Sequence, residues 1–326
     1  ASLSVSASAG DGGTLSYQWF KSGVAITNAT SDTYSLTGVT TSDSGSYLVE
    51  VTNTLGGVST STISTTATVT VASELSIATP TTGLSGTADS AFSLSVAGSG
   101  GRASLSYALT GTLVSGLSMS TSTGTISGTP NATGSSTVSV AVTDANGVTA
   151  STSSFTISVG YASTTVSLAL ASASPQYRLT NRITATTSRA GTVNFMLGGT
   201  TISGCGAVAA VSTTATCDWV PTALGAASLS ATFTPTSSTA YANSTASLST
   251  TVGAQAITVT PTAGQSKLFG DADPGIGFSI TSGALYGSDS LAGALSRAAG
   301  EDAGTYVITL GTLSNANYVI TLASVN

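Results

Sequence analysis

The residue types that usually carry enzymatic chemistry are scarce in this sequence. It contains no histidine, and its 13 carboxylates are spread over 326 residues. Without histidine there is no Ser-His-Asp or Cys-His catalysis and no H-E-x-x-H zinc site. A serine or threonine paired with Lys21 or Lys267 is the nucleophilic alternative that stays open. We therefore predict that the chain is not an enzyme and has no catalytic or cofactor-binding residues.

Asp271 and Asp273 are the carboxylates whose spacing most resembles a metal site. Calcium takes about 6–8 oxygen ligands, more than this pair supplies. An Asp-x-Asp-Pro run before a strand is typical of a turn, in which the carboxylates accept bonds from nearby backbone groups. We predict a structural role for both residues, with a loosely held calcium ion as the alternative.

Cys205 and Cys217 are the only cysteines. Two strands joined by a short hairpin would bring their Cα atoms within disulfide distance. A reactive or metal-binding thiol pair is the alternative, but it lacks histidine and the C-x-x-C spacing. The predicted disulfide indicates an oxidising environment, so we expect a secreted, periplasmic or cell-surface protein.

Composition indicates the elements that position these residues. Charged residues make up 6% of the chain, against about 25% in an ordinary soluble domain. Serine, threonine, glycine and alanine replace them, which favours strands linked by glycine turns. The net charge of −6 and the seven Lys and Arg residues argue against nucleic-acid binding. No apolar run approaches the roughly 20 residues of a membrane helix, so no membrane insertion is expected.

Residues 1–73 carry the spacing of an immunoglobulin-like sandwich. Trp19 lies in a short apolar strand, and Tyr47 ends an Asp-x-Gly-x-Tyr corner that starts at Asp43. The pattern predicts Trp19 in the core and a Tyr47 hydroxyl bonded back to the backbone. It resembles bacterial immunoglobulin-like domains of secreted surface proteins, although Val49 stands where antibody domains have cysteine. Apolar packing is therefore expected to replace the disulfide of this segment.

Residues 74–159 resemble the cadherin-like immunoglobulin repeat of bacteria. The matching residues are 116–119, 124–130 and 140–147. Asn146 and Gly147 are expected to supply the positive φ angles of a tight hairpin between residues 138–143 and 155–159.

Cadherin-like folds imply calcium as one interpretation of the acidic residues in this segment. The candidates are Asp144 and Asp89, with Glu74 as the one glutamate nearby. These carboxylates are few for a calcium site. The favoured prediction is that Asp144 caps its own turn.

Residues 160–252 resemble a third bacterial immunoglobulin-like repeat, which has a Gly-Thr-Val-x-Phe strand. The matching strand is 191–195, and the family carries a cysteine pair at the spacing of Cys205 and Cys217. This resemblance supports the disulfide. Trp219 is expected to be a packing residue.

Residues 253–326 resemble the MBG repeat of large bacterial surface proteins. The matching residues are 267–274, 282–283, 295–297, 300–306, 311–313 and 317–318. Residues 302–306 repeat the spacing of residues 43–47, which predicts a second tyrosine corner with Tyr306 in the core.

Together these segments predict an all-β protein of tandem immunoglobulin-like β-sandwich domains arranged as an elongated rod. We expect the chain to be a window cut from a longer one, because it opens inside a strand and stops at Val325 and Asn326 where another strand should follow. The alternative is that strands from neighbouring copies complete the ends. In either case the closest partners are neighbouring domains or other copies.

Three functions fit this organisation. The leading prediction is a structural stalk of a large bacterial adhesin-like protein at the cell surface. The first alternative is a self-assembling extracellular filament or matrix completed by strand exchange between copies. The second is a module that binds host or matrix glycans or mucin, for which Phe269 and Tyr286 are the candidate exposed aromatics.

Overall fold

A computed structural model describes residues 1–324. Val325 and Asn326, where another strand is expected to follow, lie outside the described residues. Within that part the chain is all-β, with thirty strands and one 3-10 helix, Thr41–Asp43. None of its described residues forms a helix long and apolar enough to cross a membrane. The chain divides into two compact units, Ala1–Gly160 and a second that starts at Tyr161. The finer division into four segments stays a prediction.

The first segment, residues 1–73, is a sandwich built around Trp19. Its strands are β1 (Ser2–Ser4), β2 (Thr14–Lys21), β3 (Val24–Ala25), β4 (Thr33–Ser35), β5 (Gly45–Leu55), β6 (Val58–Ile63) and β7 (Ala67–Val69). The larger sheet has the order β3-β2-β5-β6, with β7 continuing along β5, and the smaller one pairs β1 with β4. Trp19, Ala29 and Val49 form the buried cluster, so valine fills the place of the missing cysteine.

The second segment, residues 74–160, has ten strands. They are β8 (Ser76–Ile77), β9 (Ser85–Thr87), β10 (Phe92–Ser95), β11 (Gly98–Ser99), β12 (Ser106–Thr110), β13 (Leu117–Met119), β14 (Thr125–Gly128), β15 (Gly134–Thr143), β16 (Thr149–Ser151) and β17 (Phe155–Gly160). One sheet is β12-β15-β17-β9, in which β9 runs parallel to β17. The other main sheet is β10-β14-β13, and the alternating apolar residues of both enclose Ile126, Val140 and Ile157.

The hairpin expected at Asn146 and Gly147 differs from the prediction. The loop after β15 is longer than two residues: the Asp144 amide donates to the Val148 carbonyl at 2.9 Å. Only Gly147 has a positive φ, of 80°. The loop leads into β16, which pairs with the end of β15, while β17 pairs with its beginning. The long β15 thus accommodates two successive short partners.

The third segment, residues 161–252, is a sandwich of eight strands. They are β18 (Val166–Leu170), β19 (Asn181–Thr187), β20 (Gly191–Leu197), β21 (Thr200–Thr201), β22 (Val208–Ala210), β23 (Thr214–Trp219), β24 (Gly225–Pro235) and β25 (Ser244–Val252). The sheets are β18-β19-β23 and β21-β20-β24-β25, with β22 also paired to β20. Phe195, Phe233 and Trp219 fill the core between them.

The fourth segment starts at β26 and has fewer, shorter strands. They are β26 (Gln255–Pro261), β27 (Phe278–Ser282), β28 (Ser296–Arg297), β29 (Ile308–Thr309) and β30 (Tyr318–Leu322). The sheet order is β27-β26-β30, in which β30 runs parallel to β26, and β28 pairs with β29. The long loops between β26 and β29 are held by short pairings and isolated bridges, such as Ile276 with Leu295, and by side-chain contacts.

Candidate functional site

The two predicted tyrosine corners make the same hydrogen bond. The Tyr47 hydroxyl donates to the Asp43 carbonyl at 2.8 Å, and the Tyr306 hydroxyl donates to the Asp302 carbonyl at 2.7 Å. In each case the acceptor precedes the tyrosine by four residues. The shared spacing therefore corresponds to a shared local geometry.

The surroundings of the two corners differ, and this corrects the placement of Tyr306 in the core. Tyr47 is 1% exposed and stacks on Tyr34 with ring centroids 6.0 Å apart. Tyr306 is only partly buried, and the Arg297 guanidinium covers its ring at 4.8 Å. The reason is that no long strand follows the second corner, whereas Tyr47 lies within β5 and points into the sandwich.

Cys205 and Cys217 form a disulfide with Cα atoms 5.6 Å apart. They do not lie on two strands of one hairpin, as the spacing suggested. Cys205 accepts a bond from the Phe195 amide and so belongs to the β20 sheet, while Cys217 pairs with Ile183 in the opposite sheet. The bond therefore joins the two sheets of the sandwich. Trp219, 3% exposed, packs in the same core.

The carboxylate of Asp144 accepts hydrogen bonds from backbone amides. Its oxygens accept the amides of Arg102, Asn146 and Val148, each at 2.9 Å. The Arg102 amide, ahead of the other contributions, lowers the pKa of Asp144 below its usual value. A carboxylate surrounded by N–H donors suits turn capping rather than a cation.

Asp89, the second calcium candidate of this segment, is a turn residue with a positive φ of 59°. Its amide donates to the Pro130 carbonyl at 2.8 Å. Throughout residues 1–324 no group of three or more acidic, cysteine or histidine side chains is arranged to hold a metal ion.

Asp273 belongs to a closed ring of four ion pairs, named here the charge ring, with Lys267, Arg297 and Glu301. Lys267 Nζ lies 3.1 Å from Asp273 and 2.9 Å from Glu301. Arg297 Nε lies 2.8 Å from Asp273, and its Nη2 lies 2.7 Å from Glu301. Each cation thus contacts both carboxylates, so Asp273 is engaged by two positive charges rather than free for a metal.

The charge ring also fixes the loops around it. Lys267 Nζ donates to the Asp271 carbonyl at 2.9 Å, and the Arg297 guanidinium donates to the carbonyls of Ala298 and Gly300. The cation side chains are largely covered, 18% and 16% exposed, whereas the carboxylates are about half exposed. Hydrogen bonds within the ring, from Arg297 to Asp273 and from Lys267 to Glu301, lower the pKa values of both carboxylates. The motif residues of this segment therefore hold loops in place.

Tyr177 of the third segment lies in a cluster of buried residues of the fourth. It is 5% exposed, and its ring meets the Tyr318 ring edge-on at 5.9 Å, beside Ile257. The Tyr177 amide donates to the Gly253 carbonyl at 2.9 Å. We call this contact between the two segments the tyrosine junction. Tyr177 therefore packs in a buried cluster of the fourth segment, although it precedes β19 of the third.

A polar layer completes the tyrosine junction. The Tyr318 hydroxyl accepts the Tyr286 amide at 2.9 Å and donates to Asp289 at 2.9 Å. Burial of the phenol raises the pKa of Tyr318 above its usual value. Tyr286 is itself half-buried against the cluster, so it is not the exposed aromatic that the glycan hypothesis needs. Phe269 is 84% exposed.

Sequence reasoning missed Tyr177, Lys267 and Arg297 as positioning residues. Tyr177 has no local pattern that marks it, because its partners come from a different segment. Lys267 and Arg297 did carry a signal: they are two of only seven cations in the chain, and both lie within the motif residues of the fourth segment.

The fold and these contacts define a protein of tandem immunoglobulin-like β-sandwiches. Two of its segments match known domain families: residues 75–160 match the "Putative Ig domain" family and residues 257–325 match the "MBG domain (YGX type)" family. Neither family model describes an enzyme. No curated protein sequence matches the chain.

Several solved structures resemble the chain at low identity. Sidekick-1 immunoglobulin domains 1–5 match with 14% identity and a TM-score of 0.31, over 75% of this chain and 56% of that one. The human Desmocollin-1 ectodomain matches with 11% identity and a TM-score of 0.30, over 79% and 60%. The Yersinia pseudotuberculosis adhesin InvE matches with 14% identity and a TM-score of 0.25, over 56% and 58%. The chain spans a little over half the length of the Sidekick-1 structure, and likenesses at this level carry no inference about function.

Proposed function

We propose that this chain is a non-catalytic extender segment, or stalk, of a large bacterial adhesin-like protein, secreted or at the cell surface. Its units would be residues 1–73, 74–159, 160–252 and 253–326, arranged as an elongated rod with neighbouring domains of the same longer chain as partners. The observation that carries this proposal is the tyrosine junction. A stalk must hold its domains in line without folding back, and the Tyr177 contact would limit bending between two successive sandwiches.

The disulfide supports the proposed location. A bond between Cys205 and Cys217 persists where thiols are kept oxidised, outside the cytoplasm. It joins the two sheets of the sandwich covalently, which would add resistance to pulling. The net charge of −6 and the small number of lysines favour solubility outside the cell.

The stalk proposal is tested by measuring how far the third and fourth segments move relative to each other. Nitroxide labels on Val211→Cys and Val307→Cys, both at exposed positions and with the disulfide intact, report the distance between segments. We expect a narrow distance distribution for the otherwise unchanged chain and a broad one after Tyr177→Ala. A broad distribution with Tyr177 in place would contradict a stiff joint and overturn the proposal.

A glycan-binding module is the second candidate, favoured by the exposure of Phe269. Aromatic rings presented to solvent can stack on sugar rings. Binding of the chain to a glycan array, lost in Phe269→Ala, would favour this candidate. Absence of binding would leave the stalk.

A further inference from the structure

Strand β6, Val58–Ile63, is the outermost strand of the β3-β2-β5-β6 sheet. All six of its residues are exposed. The strand contains no charge, proline or glycine, and it is regular over its whole length against β5. Natural sheets usually protect such edges with lysine, proline, a bulge or a very short strand. The opposite edge of the sheet follows this practice, because β3 has only two residues.

The hairpin before β6 determines which of its backbone groups face outward. Gly56 and Gly57 have φ values of 61° and 83° and form a two-residue loop, so Leu55 and Val58 are the hydrogen-bonded pair next to it. Hydrogen-bonded pairs alternate along an antiparallel ladder. Val58, Thr60 and Thr62 therefore bond to β5, and the N–H and C=O groups of Ser59, Ser61 and Ile63 point away from the sheet.

No backbone hydrogen bond from residues 1–324 reaches those outward groups. Residues 5–8 lie across an open groove from β6. Thr60 and Thr62 line that groove together with the inward-facing Leu15 and Val51. The edge is thus accessible over its whole length.

We propose that β6 is a docking edge for a second copy of this chain. The two β6 strands would pair antiparallel about a two-fold axis at Ser61, with Ser61 opposite Ser61 and Ser59 opposite Ile63. Three residues of each strand then exchange about six backbone hydrogen bonds. The pairing extends the sheet of one copy into that of the other.

The chemistry of the edge favours a second copy over a charged peptide. An isologous contact brings the same residues together, so any charge on β6 would meet a like charge. β6 has none, although the chain carries a net charge of −6. Glu50, the nearest acidic group, lies one strand further in, opposite Ile63. β6 itself therefore offers a charged peptide no counter-charge.

The side chains beside the edge are already ordered for pairing. The hydroxyls of Ser59 and Ser61 bond to those of Thr54 and Thr52 at 2.9 and 3.0 Å. These contacts hold the two serine side chains against their own sheet. Ile63, 61% exposed, lies on the same face and would cover Ser59 of the second copy.

The association is expected to be weak. A contact along one six-residue strand buries less than the roughly 1,600 Å² of a standard interface. It would therefore operate between copies held close together, such as chains attached side by side on one surface. Pairing of this kind would lie alongside the proposed stalk function and does not depend on it.

Sedimentation equilibrium of the full chain from about 10 µM to about 1 mM tests the proposal. We expect a reversible monomer–dimer equilibrium. Ser61→Pro removes an outward N–H without touching the ladder to β5, and Ser61→Lys places two charges at the axis. Each is expected to weaken dimerisation by at least about tenfold. Val24→Lys, 72% exposed on the opposite edge of the sheet, is the matched control and should leave the dissociation constant unchanged.

Hydrogen exchange provides a second measurement that needs no variant. At dimer-forming concentrations the amides of Ser59, Ser61 and Ile63 should become protected, while amides elsewhere on the surface keep their rates. A chain that stays monomeric up to about 1 mM would overturn the proposal. So would a dimer of unchanged affinity in folded Ser61→Lys. Folding of both variants is checked by circular dichroism, and Ser61→Lys decides the outcome if Ser61→Pro does not fold.

Discussion

The rings of Tyr177 and Tyr318 meet edge-on with centroids 5.9 Å apart, although one belongs to the third segment and the other to the fourth. Aromatic pairs favour this arrangement because the positive edge of one ring faces the negative face of the other. The contact couples the stability of the fourth segment to the position of the loop that precedes β19. The fourth segment has few and short strands, so this contact is expected to contribute a large share of its stability.

Tyr177→Ala should destabilise the fourth segment selectively. Removing a buried aromatic side chain costs about 3–5 kcal/mol, through lost burial and the cavity left behind. Calorimetry should show part of the unfolding transition moving to lower temperature. Tyr161→Ala is the control, since Tyr161 is 55% exposed, and it should leave the transition in place. An unchanged calorimetric transition for Tyr177→Ala would show that the tyrosine junction does not stabilise the fourth segment.

Tyr318→Phe should change the response of the chain to alkaline pH. Burial raises the pKa of Tyr318 above 10.0, so folding favours the protonated phenol. The stability that this provides is complete below the pKa of the unfolded chain and is lost as pH rises through the pKa of the folded one. Unfolding free energies measured from pH 8 to about pH 11 should therefore fall less steeply in the phenylalanine variant. Equal slopes would show that another group governs alkaline unfolding.

Local spacing predicted the parts of this structure that depend on nearby residues. Trp19 lies in the core of the first segment. The corners at Tyr47 and Tyr306 each depend on a short Asp-x-Gly-x-Tyr run. Whether a corner tyrosine is buried depends on the strand that follows it, which short-range spacing does not reveal.

Contacts between distant parts of the chain could not be predicted from the sequence. Tyr177 meets Tyr318 because two segments pack together, and no periodic pattern encodes that packing. The charge ring joins the loop before β27 to strand β28 and to the loop after β28, so its members could be listed as motif residues but not paired. The cysteine spacing indicated a bond. The bond joins two sheets because Cys205 lies on the loop between β21 and β22, which bonds to β20, and not on a strand that pairs with β23 of Cys217.

Glu301→Gln should weaken the charge ring in a salt-dependent way. The glutamine cannot attract Lys267 and Arg297 electrostatically, so we expect the melting midpoint to fall by a few degrees at low ionic strength and by less at high salt. Glu74→Gln makes the same charge change at an exposed position of the second segment. A shift of equal size in that control would assign the effect to net charge alone.

The same ring predicts the response to acid. The lowered pKa values of Asp273 and Glu301 mean that their stabilising effect is present above the pKa of the unfolded chain. It is lost as pH falls through the lower pKa of the folded state. Glu301→Gln should accordingly flatten the fall in stability below about pH 4.

Reduction of the disulfide should destabilise the third segment. The bond closes a loop with a sequence separation of 12, and a loop of that size is worth about 2–3 kcal/mol. A melting curve with reductant should show a lower midpoint for part of the chain, and Cys205→Ala with Cys217→Ala should reproduce it without reductant. If reductant lowers the melting midpoint of the double variant by the same amount, the destabilisation does not come from loss of this bond.

Asp144 should matter for stability without any involvement of calcium. Its carboxylate accepts three backbone amides, and Asn in its place offers one acceptor oxygen instead of two, so at least one backbone N–H loses its hydrogen bond. The loss of a hydrogen bond to a charged acceptor destabilises the folded chain. Asp144→Asn should therefore lower the unfolding free energy in denaturant titrations, by the same amount with calcium or with a chelator. Asp271→Asn is the control, because only its backbone carbonyl is engaged by Lys267. Calcium that stabilises the unmodified chain but not Asp144→Asn would show that the carboxylate binds a cation after all, since backbone capping alone gives no dependence on the ion.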